Sequence, residues 1–377
     1  MSDSEVLTTV VVSFDRWPWP ALGCYGHEWI DTPSWDQLAA DGFLFDRCVA
    51  TINKDERVHE KLWNDFLPRL RLAGVQTSLL RESGTSPLGC DSQWSHIREI
   101  AGNDAPDAPH GERSFAKLIA AAAAEIQSSP ESPRLVWIHG VGLPECCPIL
   151  RDALELYAAD FAEEGLNLAA MTDEELVDHE LTRATLLSLL DHWLGELLAV
   201  VRTLPGRKKM TVFAWEGAIW EPAPRPTALI APFDPQQSQV PCIVSGDGIE
   251  PGRTAALATT ADLFPTIAQW FSLPPTEAAA GCDLEPLIAG SADGVRNGVI
   301  HRGEDQGAIW TNDDVMLFAR HGDDWNAQRF LWPEDGWAIN DIAFQTPDIT
   351  ALRIRQFVES SRDPFSRDPE SAEGSAL

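Results

Sequence analysis

Apolar, β-branched runs alternate along the chain with stretches of helical periodicity. The run LTTVVVSF (7–14) predicts a strand, and TPSWDQLAADG (32–42) a helix capped by Thr32 or Ser34 and closed by Gly42. KLWNDFLPRLRLAG (61–74) reads as helical on either side of Pro68, and VQTSLLRE (75–82) as a strand. SFAKLIAAAAAEIQSS (114–129) is a buried helix, followed by the strand RLVWIHGVG (134–142). A long helix over 172–204 has Thr172 as its cap and an acidic first turn. The strands KKMTVFAWEG (208–217) and VPCIVSGDG (240–248) and the helix TTADLFPTIAQWFSL (259–273) complete this alternation. It predicts an α/β protein with a doubly wound sheet, with ligands expected beyond the carboxyl ends of the strands.

The rhythm changes near residue 295. GAIWTNDDVMLFAR (307–320) predicts a hairpin turning at Asn312-Asp313-Asp314, and DITALRIRQFVESS (348–361) a last helix. The expected organisation is a main α/β domain over 1–294, a small α+β subdomain over 295–362 and a polar tail, expected to be disordered, over 363–377.

Composition narrows the partners. The 377 residues carry a formal charge of −30, a field that repels nucleic acid and acidic membranes, so neither is expected as a partner. The sequence contains no stretch read as a membrane span, and the acidic start MSDSEVLTT lacks the basic region of a secretory signal, which points to the cytoplasm. Seven cysteines, an odd number without a CxxC pair, argue against a disulfide framework or a zinc site. Fifteen tryptophans are expected mainly in the core, with an aromatic sugar-binding platform as the other reading.

Two long blocks carry a family resemblance. Asp15, then LGCYG (22–26), Thr32-Pro33, Asp36-x-Leu38-Ala39 and Gly42-x-x-Phe45 resemble the N-terminal signature of the sulfatase family of the alkaline-phosphatase superfamily. VPCIVSGDGIEPGRTAALATTADLFPTIAQWFSLP (240–274) is similar to its later signature, and the segments AIWTNDDVMLFAR and LWPEDGWAINDIA to its C-terminal subdomain. The resemblance implies an alkaline-phosphatase-like mixed sheet flanked by helices. It also implies a formylglycine nucleophile made from a C/S-x-P-x-R segment, a calcium ion, and a clamp of Lys, His and Arg on the sulfate.

Position by position, this chain departs from that pattern. Asp15 matches the strand-1 metal ligand, but Arg16 stands where a second acidic ligand is common. Ungapped, Asp55 takes the nucleophile's place, Arg57 the proline's and His59 the arginine's. Glu82 falls where the family carries a sulfate-binding lysine. His139 persists at the end of its strand, while Pro144 or Glu145 replaces the sulfate-facing histidine. Trp215 and Glu216 replace the later Asp-His metal pair.

The site expected from these residues has Asp55, His59 and His139 as positional catalytic candidates and Arg16, Trp17, Glu82, Pro144 and Trp215 around a pocket. Asp15 and Glu216 are remnant metal positions. Arg16 is expected to form a buried ion pair with Asp55 or Glu216, with Trp17 and Trp19 excluding water. His139 reads first as a satisfied interior histidine and second as a base, and His59 as an exposed helix residue. No cofactor is expected, calcium being the family's metal. Three functions stay open: a sulfatase-like binding protein without hydrolysis, partnered by a small molecule or a protein; a divergent metal-dependent hydrolase using Asp15, Asp55 and Glu216; and an acidic scaffold.

Overall fold

The computed structural model describes residues 6–51, 56–85, 91–105, 108–128, 132–144, 150, 154, 172, 180–220, 233–276, 281–322, 324–332, 334–336 and 338–359, with 56–61 described as helical backbone only. Its main sheet has eight strands: β1 (Leu7–Trp17), β2 (Phe43–Phe45), β4 (Gln76–Glu82), β5 (His96–Ile100), β6 (Arg134–Gly142), β7 (Arg207–Gly217), β9 (Cys242–Gly246) and β10 (Gly252–Thr254). A small sheet joins β3 (Cys48–Val49), β8 (Gln239–Val240) and β11 (Ala258–Thr259). A separate antiparallel sheet holds β12 (Gly298–Arg302), β13 (Gln306–Thr311), β14 (Asp314–His321) and β15 (Asp324–Leu331). The longer helices are α1 (Pro33–Asp41), α2 (Glu56–Leu72), α3 (Ser114–Gln127), α4 (Glu180–Thr203), α5 (Leu263–Trp270) and α6 (Pro347–Glu359).

The main sheet runs β10-β2-β9-β7-β1-β6-β4-β5. β1 pairs in parallel with both β6 and β7, and β4 in parallel with β6 and β5. β9 is antiparallel to β7 and β2, which makes the sheet mixed. Val10, Val11, Val12 and Phe14 of β1 are fully buried, because helices cover both faces of this central strand. α1, α3 and α4 pack together over one face, while α2 and α5 cover the other. α4 is the one described helix long and apolar enough to cross a membrane, yet most of it is buried against α1 and α3.

Three local expectations change. α2 runs unbroken through Pro68. Its face of Leu62, Trp63, Phe66, Leu67 and Leu70 is buried, and that burial outweighs the roughly 3 kcal/mol cost of an interior proline. Thr32 is the N-cap residue of α1, but its hydroxyl accepts the Gly23 N–H at 3.0 Å instead of capping the helix. The cap comes from Asp191 of α4, whose carboxylate accepts the Ser34 and Trp35 N–H groups at 3.0 and 2.9 Å. Gly42 ends α1 in an extended conformation, with its lack of a Cβ explained by Val244 O, which a Cβ would approach to 2.5 Å.

The antiparallel sheet has two buried faces. Ala308, Trp310, Val315, Leu317 and Phe330 pack with Val49, Phe233 and Leu257 of the main body. Ile309, Met316 and Phe318 face α6, where Phe357 stacks on Phe318 at 4.3 Å. The expected hairpin is present, with β13 and β14 joined through Asn312 and Asp313.

Removing the carboxylate that caps α1 leaves two helix N–H groups inside the protein without their acceptor. Asp191→Ala is expected to lower the unfolding free energy by about 1–2 kcal/mol in urea titration. An unchanged midpoint would show that the cap contributes nothing.

Candidate functional site

Four parallel neighbours, β7, β1, β6 and β4, end on the same edge of the main sheet. Their tips bring together Asp15, Arg16, Glu82, His139 and Glu216. Ser13 is in register with His139, and Arg16 with Glu216.

Asp15 is held from below by a chain of buried groups. Trp137 Nε1–H donates to Ser13 Oγ at 2.8 Å, and Ser13 Oγ lies 2.9 Å from His139 Nδ1. His139 Nε2 lies 3.1 Å from Asp15 Oδ1. The indole N–H can only donate, so Ser13 Oγ accepts from Trp137, while His139 Nδ1 also lies 3.3 Å from the Ser13 carbonyl oxygen. Ser13, Trp137 and His139 are fully buried, whereas the Asp15 side chain is 21% exposed. His139 is therefore a satisfied interior histidine and, through Asp15, also a part of the strand-end site.

Arg16, the next residue, has a different partner. Successive strand residues point to opposite faces, and Arg16 Nε donates to Glu216 Oε2 at 3.2 Å. The expected pairing with Glu216 is present, but it is not buried: the two side chains are 37% and 59% exposed. Such a pair contributes about 0–1 kcal/mol to stability.

Glu82 ends β4 as a buried carboxyl. Its Oε2 accepts the Val141 N–H at 2.9 Å and lies beside Gly140, where an added Cβ would meet Phe115 at 3.0 Å. Burial pushes its pKa up to about 7, Asp104 and Asp15 add to the rise, and the Val141 amide opposes it.

The tryptophans expected around a pocket belong to the core. Trp17 is fully buried with its ring 4.5 Å from Phe14 and 5.1 Å from Trp35. Trp215 is buried against Phe213 at 5.1 Å and Trp137 at 6.5 Å. Ten of the fifteen tryptophans are buried, as expected of core residues. Pro144 is half-buried just beyond β6, where the neighbouring Leu143 N–H donates to the Arg16 carbonyl at 3.0 Å. Asp55 lies outside the described residues, and His59 is placed on α2 by its backbone alone.

Among the described residues no group of three or more His, Cys, Asp or Glu side chains converges as a metal site. Calcium takes six to eight oxygens. At the strand tips Asp15 engages His139, Glu216 engages Arg16, and Trp215 offers no oxygen. Among the described residues these tips supply fewer oxygens than calcium takes, and Asp55, the third carboxylate expected there, lies outside them.

Ser13 and Trp137 were not foreseen as site residues. The one sequence signal was a serine inside an otherwise apolar strand. That is a weak signal, because the partner that gives it meaning is 126 residues away.

Two substitutions separate these groups. The folded state keeps a proton on Glu82 that the unfolded chain releases above its ordinary value of 4.5, so stability is fully present below 4.5 and is lost as pH rises through 7. Glu82→Gln should remove about 3 kcal/mol of that decline and make the variant the more stable protein at pH 8, read by denaturant titration at a series of pH values. Equal slopes in both proteins would refute the buried-carboxyl assignment. Arg16→Ala should change stability by less than about 1 kcal/mol in the same measurement; a larger loss would mean the pair is not solvent-screened.

No family model matches the sequence, and no curated protein matches it. Solved structures do. A 2-O GAG sulfatase superposes with a TM-score of 0.71 at 14% identity, covering 95% of this chain and 93% of its own. The phosphonate monoester hydrolase of Agrobacterium radiobacter gives 0.67 at 14% identity, covering 93% and 95%. A protein solved with its substrate D-glucosamine-2-N,6-O-disulfate gives 0.67 at 12% identity, covering 97% and 99%. The large mixed sheet, the flanking helices and the separate antiparallel sheet thus make up the sulfatase/alkaline-phosphatase-like fold, shared with these proteins along nearly the whole chain.

Proposed function

We propose that this chain is a sulfatase-like protein without formylglycine- and calcium-dependent ester hydrolysis, and that it acts as a binding protein for a small molecule or a protein partner. The observation that carries this reading is the Arg16–Glu216 pair across the tips of β1 and β7. In the family the sequence resembles, those tips hold a divalent cation. Here one tip carries a guanidinium and the other a carboxylate bound to it. Two further features agree. Asp15 is already engaged by His139, and a buried carboxyl, Glu82, occupies the position of a sulfate-binding lysine. Electrostatic stabilisation of a transferring group is usually the largest catalytic contribution, and each lost contact of that kind costs several kcal/mol at the transition state. The ligand such a site favours is neutral or cationic rather than an anionic ester.

A second reading is favoured by one observation. Glu82 holds its proton up to about 7, while Asp15 stands two strands further on beside His139, so the two carboxyls have different environments. Paired carboxyls of that kind can divide acid and base roles in a divergent hydrolase of sulfate or phosphate esters.

A panel of aryl sulfates and aryl phosphates, with and without Ca²⁺, Mn²⁺ or Zn²⁺, decides between them. The first reading expects no turnover above that of Asp55→Ala, and no one-to-one calcium binding by calorimetry. Turnover that Asp55→Ala abolishes would overturn it. Turnover that falls in Glu82→Gln and follows a single ionisation near pH 7 would establish the second.

A further inference from the structure

Away from the strand-end site, one titratable group among the described residues is buried with no hydrogen-bond partner. His301 of β12 is 4% exposed, and neither of its ring nitrogens has a hydrogen-bond partner. Buried polar side chains are bonded in the large majority of cases, so an orphaned imidazole needs an explanation. Its place in the fold supplies one. His301 is in register with Ala308 of β13, and Ala308 belongs to the face that packs on the main body. From the main body, the Phe233 ring lies 6.4 Å from the imidazole. Phe233 also stands 3.6 Å from the point where a Cβ on Gly303 would sit, so it fits closely against this hairpin. The imidazole is thus part of the apolar seam that seats the antiparallel sheet.

The charged groups on the packed elements are committed elsewhere or turned away. Arg302 places its guanidinium over Phe357, at 4.0 Å, on the opposite face of the sheet. Asp305 faces Arg320 at 3.9 Å, and Asp234, next to Phe233, accepts the Gln236 N–H at 2.9 Å. Arg47 donates to the Asn312 carbonyl. Neither these groups nor Glu304 bonds a ring nitrogen of His301.

We propose that His301 is an acid-released latch: as the neutral ring it seals the seam between the antiparallel sheet and the main body, and as the imidazolium it opens that seam. Among the described residues a charge placed there meets no acceptor and no counter-ion, whereas undocking gives it water. Burial alone lowers the pKa of the ring from 6.5 to about 4. The undocked ring regains its ordinary value, so protons favour the open state between the two. With the values 6.5 and about 4, the opening equilibrium rises roughly 20-fold from pH 7 to pH 5. This inference is independent of the function proposed for the strand-end site.

Hydrogen exchange of the full chain at pH 7 and pH 5, corrected for intrinsic rates, tests it. Protection of residues 298–321 is expected to fall roughly 20-fold at pH 5, while that of β1 and β6 does not fall, the Glu82 proton adding to global stability at the lower pH. His301→Phe, which cannot charge, should abolish the fall; if that variant does not fold, His301→Gln serves the same purpose. Unchanged protection in the wild type, an equal fall in the uncharged variant, or equal loss in β1 and β6 would each overturn the latch. So would an NMR titration placing the His301 midpoint at its ordinary 6.5.

Discussion

The parallel pairing of β1 with β6 on one side and β7 on the other is the constraint on which the rest of this structure depends. A strand paired on both edges and covered on both faces has only one place to meet solvent, its carboxyl tip. Val10 to Phe14 fill the covered part. Asp15 and Arg16 are the first residues to emerge, and the same geometry brings out Glu216, His139 and Glu82 beside them. The site is therefore a consequence of sheet order: the polar residues collect where the burial ends.

Burial also explains why the tips differ from one another. Asp15 emerges over a fully buried His139, which is held by Ser13 and Trp137. Arg16 and Glu216 emerge on the other side and find each other in water. Glu82 does not emerge at all, and its carboxyl keeps a proton that an exposed glutamate would lose. Three carboxyls at the ends of β7, β1 and β4 thus sit in three different settings, set by burial and by which face each side chain takes.

Much of the fold was legible. The alternation of apolar runs and helical stretches marks β1, β4, β6, β7 and β9 and helices α1 to α5, and the motif blocks at 15–45 and 240–274 point to the sulfatase-like arrangement that the solved structures share. Local errors came where tertiary contacts override local chemistry. Pro68 stays inside α2 because the helix buries an apolar face around it, and α1 takes its cap from Asp191 because the Thr32 hydroxyl serves Gly23. Short strands such as β3 and β11 carry no periodicity of their own and exist only through their neighbours.

The sequence by itself determined the alternation of buried strands and helices and which residue types stand at the strand ends, because hydrophobic period and motif spacing are local properties. Only the tertiary structure decided who meets whom. That Asp15 joins a histidine 124 residues away, that Arg16 reaches Glu216 in solvent and not in the core, and that His301 lies sealed against Phe233 all depend on sheet register and packing. Partners so far apart in sequence become neighbours only when the strands between them are in place, and no local pattern encodes that distance.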